Sequence, residues 1–408
     1  MFSRSHHVIV GLEIGTSKVC AVVGRLSAEG VLNVVGVGQH RSRGVRKGEI
    51  VDLETASEDI RKALVEAENM ANLEVRSVFL GVTGAHICGF NNRGRHHIPP
   101  TYREITEEDV QDVIKNARAV NLPADHHVVH LIRQHFIVDG QPEVVNPVRM
   151  EARQMELDVH VVHGITSRLQ NPIKAVKGLQ IEVEDIVFNG VASSLAVLGN
   201  QEKELGALVI DLGSGVTEYV VYAEGIIKHT GVLAVGGDHV TNDLAYGLKV
   251  PMGRAEALKI EHGGALLTPD VRGRAVRLGS ETGASDRTLN IEHLRRIMSL
   301  RLEETLEIIA EDLDRAGLLD YLRAGVVLCG GGSRVPEIDR LTERIFGLPV
   351  SIGRTRTVSG LAAALDQPEF ATAIGLVRFG SYQLGRPARA RGLTARLAEK
   401  LGSMLQRS

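Results

Sequence analysis

Two stretches of the chain pair a carboxylate with a glycine turn and a hydroxyl. Residues 8–24 read VIVGLEIGTSKVCAVVG, and residues 206–223 read GALVIDLGSGVTEYVVYA. Their cores align as Glu13-Ile14-Gly15-Thr16 against Asp211-Leu212-Gly213-Ser214, 198 residues apart. Each sets an acid at the end of an apolar strand, then a glycine, a hydroxyl and a second strand. Glycine tolerates the unusual φ/ψ that turns backbone N–H groups toward one anion. The neighbouring carboxylate can hold water around Mg²⁺. Facing each other from two domains, such turns would clamp a triphosphate. One turn of this kind is common in ordinary hairpins. Its recurrence at domain-scale spacing is what points to a site.

The elements that position these turns follow from pattern. Both stretches are apolar runs flanking a Gly/Thr/Ser turn, the signature of a β-hairpin. A third glycine turn, GVVLCGGGSR (325–334), runs from an apolar strand into Gly330-Gly331-Gly332. Helical spacing follows it at Val335, Ile338, Leu341 and Ile345. Segment 185–199 reads as a strand and a small-residue helix. Segment 370–380 reads as another such helix, in which Ala371, Ala373 and Gly375 permit close helix contact. A capping pattern, Thr106-x-x-Asp109, opens an amphipathic helix over 104–120. Helices are also expected over 253–262 and 291–316, a loop over 270–290 and a linker over 381–392.

Other chemistries are excluded by what is missing. There is no G-x-x-x-x-G-K-[ST]. Gly213-Ser214-Gly215 runs into a β-rich stretch rather than a helix, which argues against a dinucleotide site. His126-His127-x-x-His130 and His135 lie on a strand-like pattern, HHVVHLIRQHFIV, that divides the rings between two faces and makes no metal motif. Aromatic residues are 3% of the chain and there is no Trp, too little for a stacking platform on single-stranded nucleic acid. A net charge of -3 argues against a general nucleic-acid surface. Cys20, Cys88 and Cys329 are odd in number and widely spaced, which fits a reducing compartment. No stretch approaches the length of a membrane span, and the N-terminal apolar run is shorter than that of a signal peptide.

The end of the chain is different. Residues 386–408 hold six basic residues and one acid, Glu399, against an acidic remainder. Stepped at 100° per residue, Leu393, Leu397, Leu401, Met404 and Leu405 fall within about 120° of arc, with Arg396, Lys400 and Arg407 beside them. A short basic amphipathic helix suits an anionic membrane surface. Each cation there adds about 1 kcal/mol.

These segments, in order, resemble the five motifs of the actin/Hsp70/sugar-kinase superfamily. Residues 8–24 resemble the first phosphate motif, 206–223 the second and 325–334 the adenosine motif, while 185–199 and 370–380 resemble the two connecting helices. Within the superfamily, VGLEIGTSKVCAVVG, GVGQHRSRGVRKGEIVDLE (36–54) and the basic C-terminus resemble the bacterial cell-division family FtsA. The resemblance implies an α/β, actin-like (ribonuclease H-like) two-lobed ATPase fold with ATP and Mg²⁺ as ligands. Glu13, Gly15, Thr16, Ser17 and Lys18 would line the phosphates from one lobe, and Gly213, Ser214, Gly215 and Thr217 from the other. Gly236, Gly237, Gly330, Gly331 and Gly332 complete the nucleotide set. Asp211 would hold Mg²⁺ through water, and Glu256 with Lys259 would reach the ribose and adenine. The latter two stand at i and i+3, where a surface salt bridge is the simpler reading. Gln170, or Asn171, is the nearest match to the residue that orients the attacking water. Glu13 in place of Asp and Ser214 in place of Gly weigh against fast hydrolysis and not against binding, so at most a weak ATPase is expected.

The implied layout is a first core subdomain (1–83, 164–194, 365–385), an insertion (84–163), a second core subdomain (195–236, 321–364) and its outer subdomain (237–320). A linker (386–391) and a membrane helix (392–408) follow. The family resemblance further implies head-to-tail self-assembly and tethering of the FtsZ ring to the cytoplasmic face of the inner membrane at the septum. Later division proteins would be recruited through the insertion. The FtsZ C-terminal peptide is expected on the outer subdomain, where Arg295, Arg296 and Arg301 form a cationic stretch. A sugar kinase and a pilus-assembly actin homologue are the alternatives. The first lacks a recognisable general-base motif here, and neither uses a basic amphipathic tail.

Overall fold

A computed structural model of the chain describes residues 7–27, 30–98, 103–278, 287–355, 359–360 and 366–385. The amphipathic segment 392–408, with Leu393, Arg396, Leu397, Lys400, Leu401, Met404 and Leu405, lies outside the described residues.

The two carboxylate hairpins head two sheets of one plan. In the first lobe, His7–Ile14, Lys18–Leu26 and Leu32–Arg41 form an antiparallel meander. Ser77–Val82 and then Glu182–Phe188 add in parallel beside His7–Ile14. Ser359–Gly360 closes the far edge. In the second lobe, Ala207–Leu212, Thr217–Ala223 and Ile226–Leu233 form the meander. Val326–Cys329 and Val350–Ile352 add in parallel. The internal repeat read from two turns is therefore a repeat of topology. The strands are near-continuous Val/Ile/Leu runs because helices cover both faces of the sheet, and every residue of Ala207–Leu212 is buried.

Glycines on opposite faces of the first sheet set how closely those helices approach. A Cβ on Gly38 would overlap the Ala63 carbonyl oxygen of helix Leu53–Ala71. Helix Ala371–Gly385 lies against the other face, where Gly11 meets Ala373. This helix also crosses Asn189–Val197 at Gly375, where a Cβ would overlap the Ala192 carbonyl oxygen. The two small-residue helices thus meet as their composition predicts. Ala371–Gly385 runs five residues into the stretch expected as a linker.

Between Thr83 and Gly164 the chain makes a separate antiparallel sheet in the order Gln141–Val144, His126–Val138, Gln154–Ile165 and Cys88–His97. Helix Glu107–Arg118, opened by the expected Thr106–Asp109 capping box, covers one face. Val110, Val113 and Ala117 share its core with Phe136, Met155 and Leu157. This insertion is stitched to both lobes by polar side chains. Gln134 Nε2 donates to the Ile227 carbonyl at 2.8 Å, and Asn91 Nδ2 to that of Lys228 at 3.0 Å. His160 Nε2 meets Thr230 Oγ1 at 2.9 Å, and His130 Nε2 accepts from the Phe188 N–H at 3.0 Å. Burial lowers the pKa of His160 to about 3 and of His130 to about 4, so both rings are neutral. His130 and His160 are thus fasteners between subdomains, whereas His126 meets His163 within the insertion, at 2.8 Å. Among the described residues no group of three His, Cys, Asp or Glu is placed to hold a metal.

The outer part of the second lobe holds helices Gly237–Leu248, Met252–His262 and Ile291–Arg315. The stretch 270–290, expected as a loop, contains a strand pair, Ala275–Leu278 with Arg287–Asn290. The helix after the triple glycine begins at Ile338 rather than Val335. Pro336 holds Val335 extended, at ψ 124°. No helix of the described residues is long and apolar enough to cross a membrane.

Candidate functional site

The glycine turns of the two lobes face each other and have the same internal geometry. Gly15 N–H donates to the Lys18 carbonyl at 2.9 Å, and Gly213 N–H to the Val216 carbonyl at 3.0 Å. The turns also touch. A Cβ on Gly215 would overlap Thr16 Oγ1, so only glycine fits there. Ser214 lies in the second turn with its buried hydroxyl unpartnered. Its carbonyl accepts from Asp238 N–H at 2.8 Å, and that of Gly213 accepts from Gly237 N–H at 3.0 Å. Gly236 and Gly237 thus seat helix Gly237–Leu248 on the second turn.

Three carboxylates gather beneath the turns. Asp211 ends its strand opposite Glu218, as Glu13 stands opposite Cys20 in the other hairpin. Thr372 Oγ1 donates to Asp211 Oδ2 at 2.9 Å, and Thr83 Oγ1 of the first lobe donates to Glu218 Oε1 at 2.5 Å. Burial raises the pKa of Asp211, and raises Glu218 further with help from the Asp211 charge. Burial pushes Glu13 up to about 7, against the pull of Lys18. Lys18 donates to the Glu369 carbonyl, and its ammonium lies 4.3 Å from the centre of the Phe370 ring.

Gly330 sits under Asp211 at φ 78°, where a Cβ would overlap the Asp211 carboxylate. Gly332 abuts Leu212, and Gly331 has open space above it. Thr217 is buried and donates to the Val235 carbonyl at 2.8 Å. Glu256 and Lys259 form the i,i+3 ion pair, at 2.7 Å. Lys259 also reaches Thr241 Oγ1 at 2.8 Å and the Gly237 carbonyl at 3.1 Å, which ties the pair to the helix behind the second turn. Ser17 stays in the first turn, its carbonyl accepting from Ser42 N–H at 3.0 Å. Gln170 lies half-buried in helix Thr166–Lys177. Its neighbours Leu169 and Pro172 line a small cavity beside Ile14 and Thr83. The three arginines expected to form one cationic stretch diverge. Arg295 faces Glu337 at 3.4 Å, whereas Arg301 is held by Asp243 at 2.6 Å and Glu304 at 2.5 Å.

These residues fit a magnesium nucleotide. Glu13 Oε2, Ser214 Oγ and Glu369 Oε2 are buried without a hydrogen-bond partner. Buried polar atoms are ordinarily satisfied, and three orphans around one cleft mark a place built for a polar ligand. Sequence reasoning missed Glu218, Thr83, Thr372 and the Lys47-Gly48 turn. Only Glu218 carried a signal, as an acid inside an otherwise apolar strand.

The family model "Cell division protein FtsA" matches residues 208–375. The model "SHS2 domain inserted in FTSA" matches residues 84–163. The curated cell division protein FtsA of Pseudomonas aeruginosa is 38% identical over 377 residues, covering 92% of this chain and 90% of that protein. The chain belongs to the FtsA family of cell-division proteins. Solved structures similar to this FtsA-family chain carry the actin-like fold. A type IV pilus biogenesis complex of PilM and PilN aligns with TM-score 0.65 at 16% identity, covering 91% of this chain and 98% of that one. MreB5 of Spiroplasma citri bound to ADP aligns with TM-score 0.54 at 15% identity, covering 91% and 96%. Likeness at that identity shows the fold alone, so the pilus-type reading gains nothing from it. The sugar-kinase reading is likewise not favoured.

Glu13 makes the unliganded protein pH-sensitive in a defined direction. Its folded pKa of about 7 lies above the 4.5 of an exposed glutamate. The folded state therefore binds more protons between those values, and stability falls as pH rises through that window. Glu13→Gln is expected to raise stability at pH 8 by about 1–3 kcal/mol and to flatten that slope. Urea midpoints at pH 5 and pH 8 check this. Parallel midpoints for wild type and variant at both pH values would show that Glu13 is ionised and solvated in the fold.

Proposed function

We propose that the cleft binds ATP with Mg²⁺ and that the chain uses this site as a switch for assembly rather than as a fast hydrolase. The observation that carries the reading is the pair of matched glycine turns facing each other over buried acids with orphaned polar atoms. Bound Mg²⁺ would offset negative charge on the β- and γ-phosphates. Asp211 would hold its water shell, and the backbone N–H groups of Thr16, Ser17, Ser214 and Gly215, which the hairpin bonds of Gly15 and Gly213 leave at the turn tips, would cradle the phosphates. Gly330, Gly331 and Gly332 would lie under the adenosine, with Glu256 and Lys259 at its sugar and base. The ADP held by MreB5 supports this assignment. Glu13 and Ser214 argue for slow turnover, and Gln170 remains the proposed water-orienting residue.

In the cell the chain would self-assemble along the membrane, join the FtsZ ring to it and recruit later division proteins through residues 84–163. For the FtsZ peptide, the outer subdomain remains the proposed dock. Arg301 would exchange Glu304, its more exposed partner, for a peptide carboxylate while Asp243 keeps it oriented. Residues 392–408 would supply the membrane contact, folding as they bind, because 17 residues with Gly402 near the end are marginal as a helix in water. A single such helix binds weakly, and an array on a filament binds by avidity.

Co-sedimentation with anionic and neutral vesicles tests the tether. Leu401→Glu puts a charge in the middle of the apolar arc and is expected to move most of the protein from pellet to supernatant while ATP binding survives. Neutralising Arg396 and Lys400 should weaken pelleting less and reduce its salt dependence. Equal pelleting of wild type and Leu401→Glu would rule out the tether.

A further inference from the structure

Between strands Val45–Arg46 and Glu49–Ile50 lies a two-residue turn, Lys47-Gly48, with φ of 49° and 76°. Two successive positive φ values make the tight hairpin turn whose twist matches its strands. This turn is fixed to both glycine turns of the cleft. Gly48 N–H donates to Thr16 Oγ1 at 2.9 Å. The Cα of Lys47 lies 2.9 Å from where a Cβ on Gly215 would stand. Behind the tip, Glu49 is held by Arg168 at 2.7 Å, and Gly48 packs on the Thr83 methyl group. The backbone of Lys47 therefore has a defined place where the two phosphate turns meet.

Four cations of the two lobes are engaged among the described residues. Lys18 is taken by the Glu369 carbonyl and the Phe370 ring, Lys259 by Glu256, Arg301 by Asp243, and Arg43 by Asp59. Lys47 is exposed, and its ammonium has no hydrogen bond or ion pair among the described residues. Its charge is felt across the cleft. His239, on the first turn of helix Gly237–Leu248, titrates low because of burial first and Lys47 second.

We propose that Lys47 is a second phosphate-binding cation, placed opposite Lys18, that makes the cleft prefer a nucleoside triphosphate to a diphosphate. The inference rests on the reading of the cleft as a nucleotide site. Lys18 lies on the inner side, close enough to Glu13 and Asp211 to pull both carboxyls down, and serves any nucleotide there. Lys47 stands where the tips of both turns converge, where a terminal phosphate would come within its reach. The tight turn fixes the Lys47 backbone, and the charge of its ammonium favours the ligand with the extra negative charge.

Isothermal titration of the full chain with ATP and with ADP, each with Mg²⁺, tests this on wild type, Lys47→Gln and Lys47→Arg. All three carry the same backbone demand at positive φ, so the hairpin is kept. Lys47→Gln is expected to weaken ATP about tenfold, a change of about 1.4 kcal/mol, and to leave ADP nearly unchanged. Lys47→Arg should retain the ATP preference. An ATP-to-ADP affinity ratio equal in wild type and Lys47→Gln overturns the proposal, as does an equal loss of both nucleotides, which would assign Lys47 to holding the hairpin. A wild-type chain that binds neither nucleotide overturns the nucleotide reading itself, and the proposal with it.

Discussion

Gly375→Val is expected to destabilise the fold more than any other single change considered above. A Cβ at this position meets the carbonyl oxygen and carbonyl carbon of Ala192, in a second helix. Overpacking against movable side chains costs about 1–3 kcal/mol. Backbone cannot rotate out of the way, so the two helices must separate. They join the lobes through a core in which Ala192, Ala373 and Leu376 are fully buried. The expected loss is about 4 kcal/mol or more, a large share of the about 5–15 kcal/mol that holds a typical domain. Urea denaturation, with the soluble yield of the expressed variant, measures it. A variant that unfolds at the wild-type midpoint would mean that the helices do not touch at Gly375.

Asp211→Ala is expected to remove metal-dependent nucleotide binding while sparing the fold. The side chain is buried between Glu13 and Glu218, and burial already raises its pKa. Its removal relieves crowding of like charges but leaves the buried Thr372 hydroxyl without its acceptor, so the two effects oppose each other and the unliganded protein should stay folded with a small change in stability. With Mg²⁺ present, ATP affinity should fall by about tenfold to a hundredfold, or about 1.4–2.7 kcal/mol. Without metal, wild type and variant should bind alike. Gly332→Val is the companion change, because a Cβ there presses on Leu212 beside the second turn. Calorimetry showing ATP binding untouched by both variants would move the nucleotide site out of this cleft.

Both effects trace to features of very different legibility. The carboxylate turns, the triple glycine and the Thr106–Asp109 capping box are local patterns, because turn chemistry and caps are decided within a few residues. The strand runs around Glu13 and Asp211 were legible for the same reason, and their matching order gave away the duplicated sheet. The close approach at Gly375 was readable as composition, since a helix rich in Ala and Gly has no side chains to hold a neighbour away.

What surrounds the turns was decided only by tertiary structure. The Thr83–Glu218 bond joins residues 135 apart, Thr372–Asp211 joins residues 161 apart, and Lys18–Glu369 joins residues 351 apart. No periodicity connects such pairs; they meet because two sheets of one topology face each other across a cleft. Arg301 makes the same point. On its helix it counts as one of three cations, yet Asp243, 58 residues earlier, takes its charge. Lys47 is the converse case. Its sequence neighbours mark only a tight turn, and folding alone brings that turn to both glycine turns while leaving its ammonium without a partner among the described residues. By itself the sequence determined the chemistry on offer, because residue type and turn geometry are local. The fold decided which of those charges are spent on one another and which remain for a ligand, because that depends on contacts between distant segments.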